Sequence, residues 1–88
     1  MENDVDRVEI NEAFAAQALA CAKALDLDMD KFNVHGGAIS IGHPLGTSGS
    51  RITAHLANEF AYRPDHKIHV GSACIGGGQG IAVVLERA

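Results

Sequence analysis

Eighty-eight residues, 47% of them hydrophobic and 20% charged, with a formal net charge of −4, describe one small folded domain or a piece of a larger one, because a chain this short buries only roughly 60–70% of its unfolded surface. The acidic balance and the lack of any Lys/Arg cluster argue against a nucleic-acid surface, no apolar run approaches the ~18 residues of a membrane helix, and the first residues are acidic where a signal peptide is basic and then apolar. Three Phe, one Tyr, no Trp and fourteen Ala leave the core to aliphatic and small side chains, and two cysteines in no metal or redox spacing suit a reducing compartment.

Val5 to Ile10 reads as a short strand in which Val8 and Ile10 alternate against Arg7 and Glu9. Asn11 offers a cap for an amphipathic helix from Glu12 to Leu25, with Phe14, Ala18, Cys21 or Ala22, and Leu25 on one face. The acidic run "DLDMD" at Asp26 to Asp30 is a solvated turn, too short for a calcium loop. Asn33 to Gly46 is rich in glycine, too broken for a long helix and, with Ala38, Ile39 and Ile41, too apolar for a solvated linker, so it is expected to run partly buried. Thr47 or Ser48 caps a second helix to about Tyr62, where Ile52, Leu56 and Phe60 form the inner stripe and Arg51, His55, Asn58 and Glu59 lie elsewhere. Arg63-Pro64-Asp65 ends it. A strand then spans Lys67 to Ala73, a glycine-rich connection Cys74 to Gly80, and an unbroken apolar strand Ile81 to Leu85, expected to be covered on both faces.

The order strand, helix, glycine loop, helix, strand, strand indicates an α/β layer whose first two strands run parallel through a crossover and whose last two form a hairpin. Strands covered on both faces need more sheet than three strands supply, so the sheet reads as incomplete.

Three polar side chains fall where regular elements meet loops. Asn11 follows the first strand, Cys74 ends the second, and His43 stands in "GHPLG" among five glycines between Gly36 and Gly49. Glycine permits positive φ and close approach, and proline fixes its own φ, so His43 sits on a sharply defined loop. The residue types leave open whether that loop is merely a difficult turn or a device for presenting an imidazole. Sites in open α/β sheets form beyond the carboxyl ends of strands, where an imidazole base, a thiol and an amide donor could converge on one reacting group. The glycines of "CIGGGQG" would let bare N–H groups point at the same centre. Neither the P-loop nor the dinucleotide fingerprint is present. A zinc site from His66, His69 and Cys74 fits no standard spacing, and a strand would turn positions 66 and 69 to opposite faces.

Three blocks, "NEAFA" at Asn11 to Ala15, "GGAISIGHPLGTSGSRI" at Gly36 to Ile52 and "CIGGGQG" at Cys74 to Gly80, resemble in order and spacing the C-terminal motifs of the thiolase family. The resemblance covers nearly the whole chain, and "SRITAHL" and "GSACIGGGQGIAVVLE" look closest to the family's mitochondrial members that act on 3-ketoacyl-CoA. It implies that residues 1–88 are a thiolase C-terminal domain fragment, order β-α-(glycine-rich loop)-α-β-β. The implied activity is acyl transfer: thiolytic cleavage of 3-ketoacyl-CoA to acetyl-CoA, as in fatty acid β-oxidation, or the reverse Claisen condensation. It makes His43 the base that activates a nucleophilic cysteine, Cys74 the acid/base at the acetyl α-carbon, Asn11 the holder of an oxyanion-hole water and Gly76 the N–H of a second oxyanion hole. Ala13 and Phe14 would lie near the acyl pocket, and His35, where many relatives have Asn, carries no chemistry.

The family needs no cofactor and no metal, coenzyme A being a substrate beside acyl-CoA, and is typically homo-oligomeric. Its nucleophilic cysteine and most of its CoA-holding surface belong to upstream sequence, which Cys21, inside a helix, cannot replace. The isolated chain is therefore expected to be inactive until an N-terminal thiolase sequence or subunit completes it. The alternative is a non-catalytic module that binds a thiolase subunit. The implied compartment is the mitochondrial matrix, with the cytoplasm as alternative. The family fold is also expected to place central strands from upstream sequence between the first strand of this chain and its last two.

Overall fold

A computed structural model describes residues 4–88, and the acidic start at residues 1–3 lies outside it. The first strand, β1, spans Arg7–Ile10, and α1 spans Ala15–Ala24. A 3-10 turn at Met29–Lys31 and a single helical turn, α2, at Ala38–Ile41 interrupt the connection to α3, Ser48–Tyr62. The chain closes with β2, Ile68–Gly76, and β3, Gln79–Glu86. The sheet order is β1-β2-β3, with β1 parallel to β2 and β2 antiparallel to β3. The crossover and hairpin expected from the sequence are both present. Among the described residues no helix is long and apolar enough to cross a membrane.

β1 pairs directly with β2, Ile10 standing opposite Ser72, so no strand can lie between them. This corrects the expectation of interposed central strands. Any further strand must add outside β3, whose outer edge pairs with nothing among the described residues. β3 is also exposed, against the expectation of cover on both faces: Ile81, Val83 and Val84 all face solvent in this chain. An apolar edge strand of this length is an open template for pairing, so the surplus of apolar strand is real but its cover is not supplied from within the described residues.

β1 departs from simple alternation, because all four of its residues are buried. Val8 and Ile10 pack with Ala18, Ala22 and Phe32 on the α1 side, and Phe32 adds a one-residue parallel bridge to Val8. The opposite face carries Arg7 and Glu9 toward α3, where the sequence suggested solvent. Arg7 Nε lies 3.2 Å from Glu59 Oε1, both side chains nearly inaccessible, so Glu59 too is buried. Buried charges survive only when paired.

α1 begins three residues later than its pattern suggests. The Asn11 N–H continues the ladder to the Ser72 carbonyl at 2.9 Å, and the Glu12 carboxylate accepts from Asn33 Nδ2 at 3.2 Å and from the Ile39 N–H at 3.1 Å. Asn11 is thus not a helix cap, and Phe14, extended before the first turn, is 74% exposed and outside the helical face. Ile39 and Ile41 are exposed as well, leaving Ala38 as the buried residue of α2. α3 matches its expected span, with Ile52 and Leu56 buried against the sheet.

β2 runs through Cys74 to Gly76, so the connection shrinks to Gly77 and Gly78, both at positive φ. Two central residues with φ > 0 are what a type I′ hairpin turn requires, which explains glycine at both. A bulge between Cys74 and Gly76 precedes the turn.

Glu9 gives this packing a pH signature. Burial, helped by Glu12 and Glu59 and opposed by Arg51 and Arg7, pushes its carboxyl up from 4.5 to about 7, and among the described residues its Oε2 has no hydrogen-bond partner. Between those values the folded state binds the extra proton, so the Glu9 contribution to stability falls as pH rises from about 4.5 to about 7 and is flat above. Two imidazoles, the half-buried His55 and the buried His69, act with the opposite sign: both are held below their ordinary value by desolvation, so their contribution is lost as pH falls below about 6.5. Glu9→Gln isolates the first effect. The variant is expected to exceed the parent by about 2 kcal/mol at pH 8 and to lose that advantage by pH 5, read from urea midpoints. An advantage equal at both pH values would contradict the assignment.

Candidate active site

The glycine-rich loop is tied down from both sides before it reaches His43. Asn33 acts as a substitute strand partner, its Oδ1 accepting from the Ile10 N–H at 2.9 Å and its Nδ2 donating to the Ile10 carbonyl at 3.0 Å. Glu12 then anchors the start of α2 through the Ile39 N–H. Gly42, at φ +100°, reverses the chain immediately after α2, a conformation a Cβ would penalise. Pro44 begins the next turn, its carbonyl accepting from the N–H groups of Thr47 and Ser48 at 2.8 and 2.9 Å.

His43 is exposed but held at both ring nitrogens. Nδ1 lies 2.6 Å from Ser48 Oγ and Nε2 lies 3.3 Å from Asn11 Nδ2. An amide N–H can only donate, so Nε2 is the acceptor and Nδ1 carries the proton toward Ser48. Nε2, held only by the longer contact, is the ring nitrogen able to take up a proton. Asn11 and Ser48 beneath it are each 2% exposed. The buried Asn11 Oδ1 has no partner among the described residues and keeps an acceptor for a bound molecule.

The structure therefore joins two of the three converging residues. Cys74 is a free, exposed thiol on β2, opposite Gly80 in the hairpin. It stands two residues beyond Ser72, whose carbonyl receives the Asn11 N–H, which is about 7 Å along the strand. No hydrogen bond among the described residues links it to His43 or Asn11. Gly76 is at φ +109° on the exposed hairpin end, with nothing within 4 Å of where a Cβ would stand. Ala13 is half-buried and Phe14 exposed in the extended segment after Asn11. All six residues lie toward one end of the sheet.

Cys21, half-buried in α1, contacts Gln17 Nε2 at 4.0 Å, a packing position. His66 and His69 do meet, Nδ1 to Nε2 at 3.1 Å, against the expectation that a strand would separate them, because β2 starts only at Ile68. They form no cluster with Cys74. His69 is spent structurally, with Nδ1 on the Leu56 carbonyl at 2.8 Å and its ring stacked on Phe60.

Sequence reasoning missed three residues that position the imidazole. Ser48 carries a signal, a hydroxyl at a helix start five residues after His43, but its local pattern indicates a cap where the fold gives it to the imidazole. Glu12 and Asn33 act across the fold, and nothing local marks them.

Residues 1–87 match the family model described as thiolase, C-terminal domain. The chain is 65% identical over 83 residues to the mitochondrial 3-ketoacyl-CoA thiolase of Homo sapiens, covering 94% of this chain and 21% of that protein. It is 54% identical over 84 residues to the acetyl-CoA acetyltransferase of Escherichia coli (strain K12), covering 96% and 21%. The crystal structure of human mitochondrial 3-ketoacyl-CoA thiolase in complex with CoA superposes with a TM-score of 0.90 at 64% identity, over 97% of this chain and 21% of that one. The chain thus spans about a fifth of the length of the relatives it matches.

Proposed function

The chain belongs to the thiolase family, whose C-terminal domain it matches, and from that premise we propose that it supplies the proton-transfer and oxyanion half of a thiolase active site. The reaction is thiolysis of a 3-ketoacyl-CoA by CoA, or its reverse. The acyl-accepting cysteine comes from a segment outside these 88 residues. The observation that carries this reading is the Asn11–His43–Ser48 chain of contacts, which fixes one imidazole tautomer at an open end of the sheet.

His43 Nε2 takes the proton of the nucleophilic cysteine, whose sulfur adds to the 3-keto carbon. As the bond between the α and keto carbons breaks, its electron pair leaves on the acetyl-CoA fragment as an enolate. The Cys74 thiol gives its proton to that α-carbon, releasing acetyl-CoA. The Cys74 thiolate then takes the proton of incoming CoA, whose sulfur attacks the acyl thioester and expels the nucleophilic cysteine, which recovers its proton from His43. The unpartnered Asn11 Oδ1 suits a bound water that donates to a developing oxyanion, and the Gly76 N–H serves a second such hole. Ala13 and Phe14 line the approach of the acyl chain.

The upstream segment docks on the open β3 edge, which supplies the apolar strand surface such a partner would cover. The relative solved with CoA supports CoA and acyl-CoA as ligands, and the relatives named mitochondrial favour the mitochondrial matrix. Assembly as a homo-oligomer is part of the same reading.

Cys74 gives the selective test. In the completed enzyme, Cys74→Ser is expected to slow exchange of the acetyl-CoA α-protons with deuterated solvent by roughly 10²–10⁴-fold, while acyl transfer onto the nucleophilic cysteine from a simple thioester continues. Unchanged exchange would assign the proton transfer elsewhere.

A further inference from the structure

A second cluster of ligand-type side chains forms where the loop before α2 meets α3, and it uses none of the acyl-transfer residues. His35 Nδ1 lies 3.2 Å from His55 Nε2 and 3.4 Å from Glu59 Oε1, and the three atoms all fall within 4.8 Å of one another. A zinc ion with bonds of about 2.0–2.1 Å at tetrahedral angles sets its ligand atoms about 3.3–3.4 Å apart. The two contacts of His35, at 3.2 and 3.4 Å, lie close to that separation.

Glu59 provides an independent observation. Its side chain is 6% exposed, and among the described residues Oε1 has no hydrogen-bond partner. Arg7 Nε is 3.2 Å away, yet it too lacks a hydrogen bond, so the pair attract without a directed N–H···O contact. The carboxylate oxygen retains an acceptor site on the side of His35. His55 and Glu59, four apart on α3, share one helix face, while His35 comes from a different element. The two rings meet edge-on at 86°. The concavity opens past Asn58, Tyr62 and Arg63, leaving room for a fourth ligand.

We propose that His35 Nδ1, His55 Nε2 and Glu59 Oε1 bind a divalent ion of the zinc class, with water completing the shell. Two imidazoles and one carboxylate suit a borderline first-row ion better than magnesium or calcium. On binding, the proton shared between the rings moves to the outer nitrogen of its imidazole. The ion clamps the start of the glycine-rich loop to α3, and so steadies the loop that carries His43. Arg7, Arg51 and Arg63 nearby offset the ion's attraction to the carboxylate and make this a modest site.

The test is titration of the reduced 88-residue chain with Zn²⁺ by calorimetry and with Co²⁺ by absorption. One equivalent of Co²⁺ is expected to give visible d–d bands without a near-ultraviolet thiolate band. His35→Asn and His55→Gln are expected each to weaken Zn²⁺ binding by about a hundredfold, whereas His66→Asn and Cys74→Ser leave it unchanged. In the unsubstituted chain, ring signals of His35 and His55 in NMR spectra shift on adding Zn²⁺, a readout that needs no variant to fold. Absence of stoichiometric binding, binding indifferent to His35→Asn, loss of binding in Cys74→Ser, or shifts confined to His66 and His69 would each overturn the proposal.

Discussion

His43→Ala is expected to lower thiolysis of acetoacetyl-CoA by the completed enzyme about a thousandfold, the upper-middle of the range general-base groups contribute. The side chain is exposed, so its removal deletes two hydrogen bonds, to Ser48 and Asn11, without opening a cavity. Stability is therefore expected to fall by about 1 kcal/mol or less. That separation makes the variant informative: a large loss of rate with a nearly unchanged urea midpoint identifies chemistry, and a rate within a few-fold of the parent assigns the base to another residue. Ser48 offers a graded companion, since losing its hydroxyl frees Nδ1 but leaves the imidazole in place.

Leu56→Ala has the largest expected effect on the fold, a loss of about 3–4 kcal/mol. Leu56 is 0% exposed, its side chain packs flush over Gly71 of β2, and its carbonyl receives the His69 Nδ1–H. Truncation leaves a void under the middle of α3, and the close contacts of Ile52 and Gly71 limit how far it can collapse. Small domains hold only about 5–15 kcal/mol in total, so the substitution removes a large share of the margin. Chemical denaturation with constant slope checks it; a loss below 1 kcal/mol would mean that α3 is not docked as described.

The sequence made α3 legible to within a residue through two local signals, the stripe Ile52, Leu56 and Phe60 and Pro64 beyond the end, whereas the expected hydroxyl cap does not form: Thr47 makes no side-chain cap bond and Ser48 Oγ turns to His43. The start of α1 was illegible for the converse reason. Glu12 looks like a first-turn acid, but its carboxylate serves Asn33 and Ile39, partners 21 and 27 residues away whose proximity only the fold creates. Likewise the period-2 pattern of β1 marks Arg7 and Glu9 as outward-facing, and outward here means toward α3, where Glu59 meets Arg7.

The candidate site divides in the same way. Asn11 and His43 could be brought together from their positions at element ends, and their side chains do touch. Ser48 as the partner of Nδ1 needed the turn closed by Pro44. The motif blocks placed the chain in its family, which spacing alone could not do, yet the expectation of interposed strands gave way to the direct β1–β2 register. The open side of the sheet is therefore at β3, which is also the side from which a completing segment must come.

The most direct measurement mixes this chain with the complementary upstream thiolase segment and follows acetoacetyl-CoA thiolysis against each component alone. The account predicts no turnover from the 88-residue chain, turnover from the mixture, and its loss when the chain carries His43→Ala or Cys74→Ala. A mixture that forms a complex yet stays inactive, or whose activity ignores both substitutions, would contradict it and leave a module that binds a thiolase subunit without taking part in the reaction.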